Sequence, residues 1–309
     1  MTPESRIYVA GHTGLVGSAI ARELTRGGYA KVITRRHAEL DLTDRGAVRD
    51  FFETMRPEYV FLAAAKVGGI LANDNFPADF LLDNLLIETN ILKAAHETGV
   101  KKVLFLGSSC IYPKFAAQPI REDALLTGVL EPTNEPYAIA KIAGLKLAAA
   151  YRRQHGSDFI SAMPTNLYGP GDNFDLETSH VIPALIRKAH DAEVRGADTF
   201  TIWGTGNVRR EFLHVDDCAD ALVFLMQAYS GEEHVNVGSG EDLTILALAE
   251  LVAETVGFKG RIVTDTTKPD GTPRKLLSND RLRTLGWQPK TPLRQGLAET
   301  YRWFVESWK

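Results

Sequence analysis

Tyr137 and Lys141 stand four residues apart in Tyr137-Ala138-Ile139-Ala140-Lys141, a segment of helical pattern, so their side chains share one face. An ammonium beside a phenol favours the phenolate, and is expected to draw the phenol from its usual pKa of about 10 toward neutrality. A phenol placed this way is a candidate proton donor to a carbonyl under reduction. The pair alone is a weak signal, because most Tyr/Lys pairs at this spacing are solvated helix faces. Two companions strengthen it. Gly11-His12-Thr13-Gly14-Leu15-Val16-Gly17 follows an apolar run at 7–10 and precedes a helical pattern at 18–24. A strand, a glycine turn and a helix together offer a dinucleotide pyrophosphate close backbone approach and unpaired N–H groups at a helix N-terminus. The second companion is Leu106-Gly107-Ser108-Ser109-Cys110-Ile111-Tyr112-Pro113, which closes an apolar run at 102–106. Ligands bind at the carboxyl ends of parallel strands, so Ser108 is placed to bond a substrate carbonyl beside Tyr137. Ser108, Tyr137 and Lys141 together read as a reduction site.

A frame is needed to hold these groups. Strands are predicted at 31–34, 59–63, 102–106 and 159–163, and helices at 44–55, 79–98 and from Pro136 to about His155. This βαβ alternation predicts an α/β fold built on a Rossmann-type doubly wound parallel sheet. From about Asn166 the loops become richer in Gly, Pro and Asn. Strands are expected at 199–203 and 235–237, and helices at 216–227 and 244–256. The predicted organisation is a dinucleotide-binding unit over 1–165 and a smaller C-terminal α/β substrate-binding domain over 166–309. Some segments of the latter are expected to return to the first unit.

The second strand is followed by Arg35-Arg36 rather than by the acidic residue that takes the ribose hydroxyls of NAD. Guanidinium groups suit a 2′-phosphate, so the expected cofactor is NADP. A solvated basic turn is the competing reading. The chain has 309 residues and a net charge of -4, which gives no case for nucleic acid or membrane partners. No apolar stretch reaches the length of a membrane span, and no signal-peptide pattern precedes the first strand. The two cysteines, Cys110 and Cys218, are far apart, so neither a disulfide framework nor a metal site is expected and a cytoplasmic setting is predicted. Cys218 reads as a buried helix position.

With these residues assembled, the chain resembles the extended short-chain dehydrogenase/reductase family. The likeness is carried by GHTGLVGSAI from Gly11, AAAKVGGI from Ala63, LGSSCIYPK from Leu106, EPTNEPYAIAKIAG from Glu131 and MPTNLYGPGDNF from Met163. It continues in SHVIPALIRK from Ser179, REFLHVDD from Arg210 and KPDGTPRKLL from Lys268. The glycine turn and YxxxK mark the superfamily. GSSCIYP, SHVIPAL and KPDGTPRK are more specific, and resemble its 3,5-epimerase/4-reductases of GDP-4-keto-6-deoxymannose. The resemblance implies a cofactor site lined by Gly11 to Gly17, Leu106, Gly107, Ser108, Ser109, Lys141, Pro164, Thr165, Asn166, Leu167 and His180. It implies that Cys110 and His180 are the acid/base pair of epimerisation, and that Lys188, Trp203, Arg210 and Asp270 bind the nucleotide sugar. A homodimer is also implied, with contacts through the helix bearing Tyr137 and the helix at 79–98. One position departs from the pattern: Thr13 stands where the family often carries an arginine for the 2′-phosphate, which leaves that contact to Arg35 or Arg36.

The chemistry is coherent with such a site. A ketone at C4 acidifies the hydrogens at C3 and C5, so one carbonyl activates both centres. Tyr137 and Ser108 are placed to hydrogen-bond the enolate oxygen. A thiol beside a cation is readily lowered from its usual pKa of about 8.5, and a histidine exchanges protons near neutrality. The bland alternatives are a small core cysteine, a capping histidine and a set of solvated cations at Arg187, Lys188, Arg209, Arg210, Arg274 and Lys275, of which Lys188 and Arg210 are favoured as ligands. Two other functions compete. A 4-reductase or 4-epimerase of another nucleotide sugar would not require Cys110 and His180. A catalytically silent NADP-binding regulator would not require Ser108, Tyr137 and Lys141 together.

Overall fold

Apolar runs that are buried on both faces must lie between two layers, and helices supply them here. The computed structural model describes residues 1–268 and 270–307; Pro269, inside the KPDGTPRKLL segment, lies outside the described residues. The first half runs β1 (Arg6–Ala10), α1 (Leu15–Arg26), β2 (Lys31–Ile33), α2 (Arg45–Met55), β3 (Tyr59–Leu62), α3 (Ile70–Asn75), α4 (Pro77–Glu97), β4 (Lys102–Leu106), α5 (Glu135–His155) and β5 (Phe159–Pro164). The second half runs β6 (Asn166–Tyr168), α6 (Val181–Val194), β7 (Thr199–Trp203), β8 (Arg209–His214), α7 (Val215–Ala228), β9 (Val235–Val237), β10 (Asp242–Thr244) and α8 (Ile245–Val256). It ends with β11 (Arg261–Asp265), β12 (Arg274–Lys275), α9 (Asp280–Thr284) and α10 (Leu293–Ser307).

The main sheet has six strands in the order β2-β1-β3-β4-β5-β9, and every pairing is parallel. Strand order reverses between β1 and β3, and the crevice at such a switch point is where open α/β sheets bind ligands. One face packs on α2, α4 and α5 through residues such as Val48, Phe52, Ile91 and Leu145. The other packs on α1 and α7 through Ile20, Leu24, Leu222 and Leu225. Cys218 lies in this second layer, fully buried, as expected for a helix core position.

Local signals account for the helix ends. Asp44 caps α2 by accepting from the amides of Gly46 and Ala47, and Thr244 caps α8 by accepting from Ala247. Pro136 occupies the first turn of α5, and Gly156 closes it at φ +71° with Arg152, Arg153 and His155 in the last turn. A third core, built from α6, α8, α10 and β7, includes Ile186, Ile202, Leu248 and Phe304. Above it, β8 joins β10, β12 and β6 in a small mixed sheet. The texture of the second half concealed α6, β8 and α10 from sequence reading, because turn residues interrupt the apolar periodicity there.

Candidate active site

The glycine turn leaves β1 at the switch point. Gly11 has φ +86°, a conformation open mainly to glycine, and a Cβ there would lie 2.8 Å from the Ala64 backbone. A Cβ on Gly17 would lie 2.0 Å from the Gly11 carbonyl oxygen, so helix and turn approach as only glycine allows. Gly14 starts α1 without a side-chain cap, and the first backbone bond of the helix is Ser18 N–H to Gly14 O. The amides of Leu15, Val16 and Gly17 therefore remain open donors at the positive end of the dipole. His12 Nδ1 is buried in the same turn without a partner among the described residues. This cradle fits a dinucleotide pyrophosphate.

Around it stand the other predicted cofactor residues. Thr13 is exposed on the turn. Arg35, just past β2, donates to Thr34 O at 2.8 Å and its guanidinium lies 5.6 Å from the Phe51 ring. Arg36 is exposed, and its guanidinium holds no hydrogen bond or ion pair among the described residues, which leaves it open to an anion. Leu106, Gly107, Ser108 and Ser109 leave β4, and Pro164, Thr165, Asn166 and Leu167 leave β5, so both groups line the carboxyl edge of the sheet. Asn166 Nδ2 is already committed to Glu211 O at 2.9 Å.

Ser108 caps a single helical turn at Ser109–Ile111, accepting from the Cys110 amide at 3.4 Å. The Ser108 hydroxyl is near enough to the Tyr137 phenol to favour its ionised form, and the Tyr137 ring meets Phe80 edge-on at 6.4 Å. Lys141 is buried one turn on. Its ammonium donates to Leu106 O at 3.2 Å and lies 5.9 Å from the Tyr137 ring centroid. The structure thus brings Ser108, Cys110, Tyr137 and Lys141 to one strand end.

Two electrostatic expectations are corrected. Tyr137 was expected near neutrality, yet its pKa stands well above the ordinary value; burial is the main cause, with Cys110 and Glu88 adding to it. Lys141 does not offset this, because a buried carboxylate, Glu88, sits 2.9 Å from its ammonium. Cys110 was expected to be drawn down by a cation. Burial instead raises its thiol, while Lys275 first, then the Ser108 hydrogen bond and Lys141, pull it down without prevailing.

His180 begins α6 and makes no capping hydrogen bond with its side chain. Its loop is tied to the carboxyl edge of the sheet by Gly69 N–H to Thr178 O at 3.2 Å. The imidazole keeps open surface although protein surrounds it, as in a cleft, and lost hydration lowers its pKa. No hydrogen bond or charge contact joins it to Cys110 among the described residues.

The structure also sorts the basic residues. Arg187 is paired with Asp191, and Arg209 and Arg274 converge on Asp242. Among the described residues Lys188, Arg210 and Lys275 carry no ion pair, and burial depresses the pKa of each. Arg210 and Lys275 are register partners on β8 and β12. Lys188 lies 5.2 Å from the half-open Trp203 ring, at the end of β7. Asp270 is engaged within the protein: its carboxylate accepts from the Thr205 amide at 2.8 Å, and its carbonyl accepts from Arg210. Desolvated cations outside any direct ion pair favour an anionic ligand. Lys275, one solvated charge among several by its sequence, and Glu88, which no motif marks, are the residues that sequence reasoning missed.

Comparison with known proteins places the chain in a family. The model of the NAD dependent epimerase/dehydratase family matches residues 7–238. GDP-L-fucose synthase 1 of Arabidopsis thaliana is 62% identical over 303 residues, covering 98% of this chain and 94% of that protein. GDP-L-fucose synthase of Escherichia coli K12 is 54% identical, covering 98% of both chains. The solved GDP-L-fucose synthetase of Naegleria fowleri bound to NADP superposes with a TM-score of 0.93 at 35% identity, over 100% of this chain and 95% of that one. The chain therefore belongs to the NAD dependent epimerase/dehydratase family and, within it, to the GDP-L-fucose synthase group.

Proposed function

We propose that this enzyme converts GDP-4-keto-6-deoxymannose to GDP-L-fucose, inverting C3 and C5 and reducing the C4 ketone with NADPH. The observation that carries the reading is the convergence of Ser108, Cys110, Tyr137 and Lys141 at the end of β4, with the desolvated cation Lys275 acting on Cys110. Arg210 and Lys188 bind the diphosphate, Trp203 stacks on the base, and Asp270 fixes the loop that frames them. Gly11 to Gly17 hold the pyrophosphate of the cofactor and Arg36 its 2′-phosphate. When bound, the cofactor supplies hydride for C4.

Cys110 acts as the base through a minority thiolate, favoured by Lys275 and Lys141. As it takes the C3 or C5 proton, the electron pair moves to the ketone oxygen, where Ser108 and Tyr137 hydrogen-bond the developing charge. His180 returns a proton to carbon from the opposite face, which inverts the centre. In the reduction, Tyr137 gives its phenolic proton to the C4 oxygen. Its high pKa suits it to remain a donor.

Residues 1–165 form the cofactor unit in this proposal and 166–309 mainly the substrate unit. The addition of β9 to the main sheet supports a return of chain to the first unit. No helix among the described residues is long and apolar enough to cross a membrane. A cytoplasmic homodimer is proposed, with Leu82 of α4 and Ile139 of α5 supplying exposed apolar surface for the contact.

The test is NADPH oxidation with GDP-4-keto-6-deoxymannose, with NMR of the product ring. GDP-L-fucose is expected. A reduced D-sugar with C3 and C5 unchanged would remove Cys110 and His180 from the proposal.

A further inference from the structure

Glu88 lies in the middle of α4, facing α5 from inside the protein. Its side chain is 1% exposed and that of its neighbour Lys141 is 2% exposed, at a separation of 2.9 Å. Neither carboxylate oxygen receives a well-aligned hydrogen bond, so this is a charge contact; burial raises the pKa of the carboxyl, and among the described residues the ammonium is the group that favours its charged form. A buried carboxylate with a single partner is costly to keep. The fold nonetheless makes room for it: a Cβ on Gly144, the facing residue of α5, would lie 2.4 Å from Glu88 Oε2 and 2.6 Å from the Phe105 ring. The ammonium is held on three sides, by Glu88, by Leu106 O and by the Phe105 ring at 4.9 Å.

We infer that Glu88 is a positioning residue for the reduction: it fixes the Lys141 ammonium and offsets its field at the phenol, so that Tyr137 keeps its proton at neutral pH. This rests on the roles proposed above for Tyr137 and Lys141. The groups facing the pair are Glu88 from α4, Ser108 and Cys110 from the turn after β4, and, through Cys110, Lys275 from β12. Of these, Glu88 alone is in ion-pair contact with Lys141. Removing a negative charge eases proton loss from every neighbour. Loss of the phenolic proton therefore moves to lower pH.

The test is a carbon NMR titration of tyrosine and lysine side chains in the full chain, without substrate or cofactor. Tyr137→Phe and Lys141→Arg assign the signals. In Glu88→Gln, which keeps the volume, Tyr137 is expected to lose its proton about one pH unit or more below the wild type. Glu88→Asp is expected to restore the wild-type titration. The alkaline limb of the reduction rate should move in the same direction. An unshifted titration in folded Glu88→Gln overturns the inference, even if activity falls. If that variant does not fold, Gly144→Ala displaces the carboxylate instead, and an unshifted titration there is equally fatal. A wild type that never turns over would defeat the proposed function but leave this titration decisive for Glu88.

Discussion

Gly17→Ala separates the packing role of the glycine turn from its role in holding the cofactor. The added Cβ would lie 2.0 Å from Gly11 O, 2.5 Å from Gly11 C and 2.9 Å from His12 Cα. Ordinary contact begins near 3.4 Å, so the gap must widen by 3.4 minus 2.0, about 1.4 Å. All three obstacles are backbone, and no rotamer relieves them. The start of α1 must lift from the turn at a cost of about 1–3 kcal/mol, as for other overpacked sites. The shift also moves the open amides of Leu15 and Val16. Losing two hydrogen bonds to a charged phosphate, at about 1.5 kcal/mol each, weakens NADPH binding roughly 100-fold. Gly14→Ala is the control: its Cβ would lie 3.5 Å from Gly11 O, an ordinary contact, on backbone at φ -82° that any residue adopts. It should keep the wild-type Tm while its methyl, on the open lip of the turn, reduces affinity. The assay is NADPH titration by fluorescence with thermal melts of both variants. A Gly17→Ala protein with wild-type Tm and wild-type affinity would refute the reasoning.

Further outcomes follow from the buried charges. Lys275→Met removes the largest influence that lowers the Cys110 thiol; solvent-deuterium exchange at C3 and C5 should fall about tenfold near neutral pH, one pKa unit's worth, and unchanged exchange would detach Lys275 from the epimerisation. Asp172 is buried, with Oδ2 unpartnered among the described residues, and burial raises its pKa from 3.8 to about 7. Its folded pKa exceeds the unfolded value, so the contribution is full below about pH 4 and is lost as pH rises toward 7. Three units correspond to at most roughly 4 kcal/mol. Asp172→Asn keeps an acceptor for the Asn173 amide and removes the ionisation, so urea unfolding should show the variant gaining on the wild type between pH 4 and 7. Parallel pH profiles for the two proteins would contradict this.

How much of the site was legible depends on how local its signal is. The glycine turn, Ser108 and the Tyr137/Lys141 pair are each read within a few residues of chain, because the chemistry uses a strand end or one helix face. The helices capped by Asp44 and Thr244 were legible for the same reason. Elements of the small mixed sheet were not, since β8 finds its partners in β6, β10 and β12, from 166 to 275 along the chain. Short strands of that kind are stabilised by pairing rather than by pattern.

Residue types alone determined which groups could do the chemistry: a phenol, a thiol, an imidazole and several cations set at the ends of strands. The protonation state of those groups was decided only by tertiary structure. Lys141 and Tyr137 share a helix face, and by spacing alone the lysine should depress the phenol. Burial of the phenol reverses that expectation, and Glu88, fifty-three positions before Lys141 in the chain (141 − 88), adds to it from another helix. Likewise Lys275, on β12, acts on Cys110 from 165 positions along the chain (275 − 110). Charge interactions act through space and desolvation acts through burial, and neither can be read from the distance between two residues along the chain.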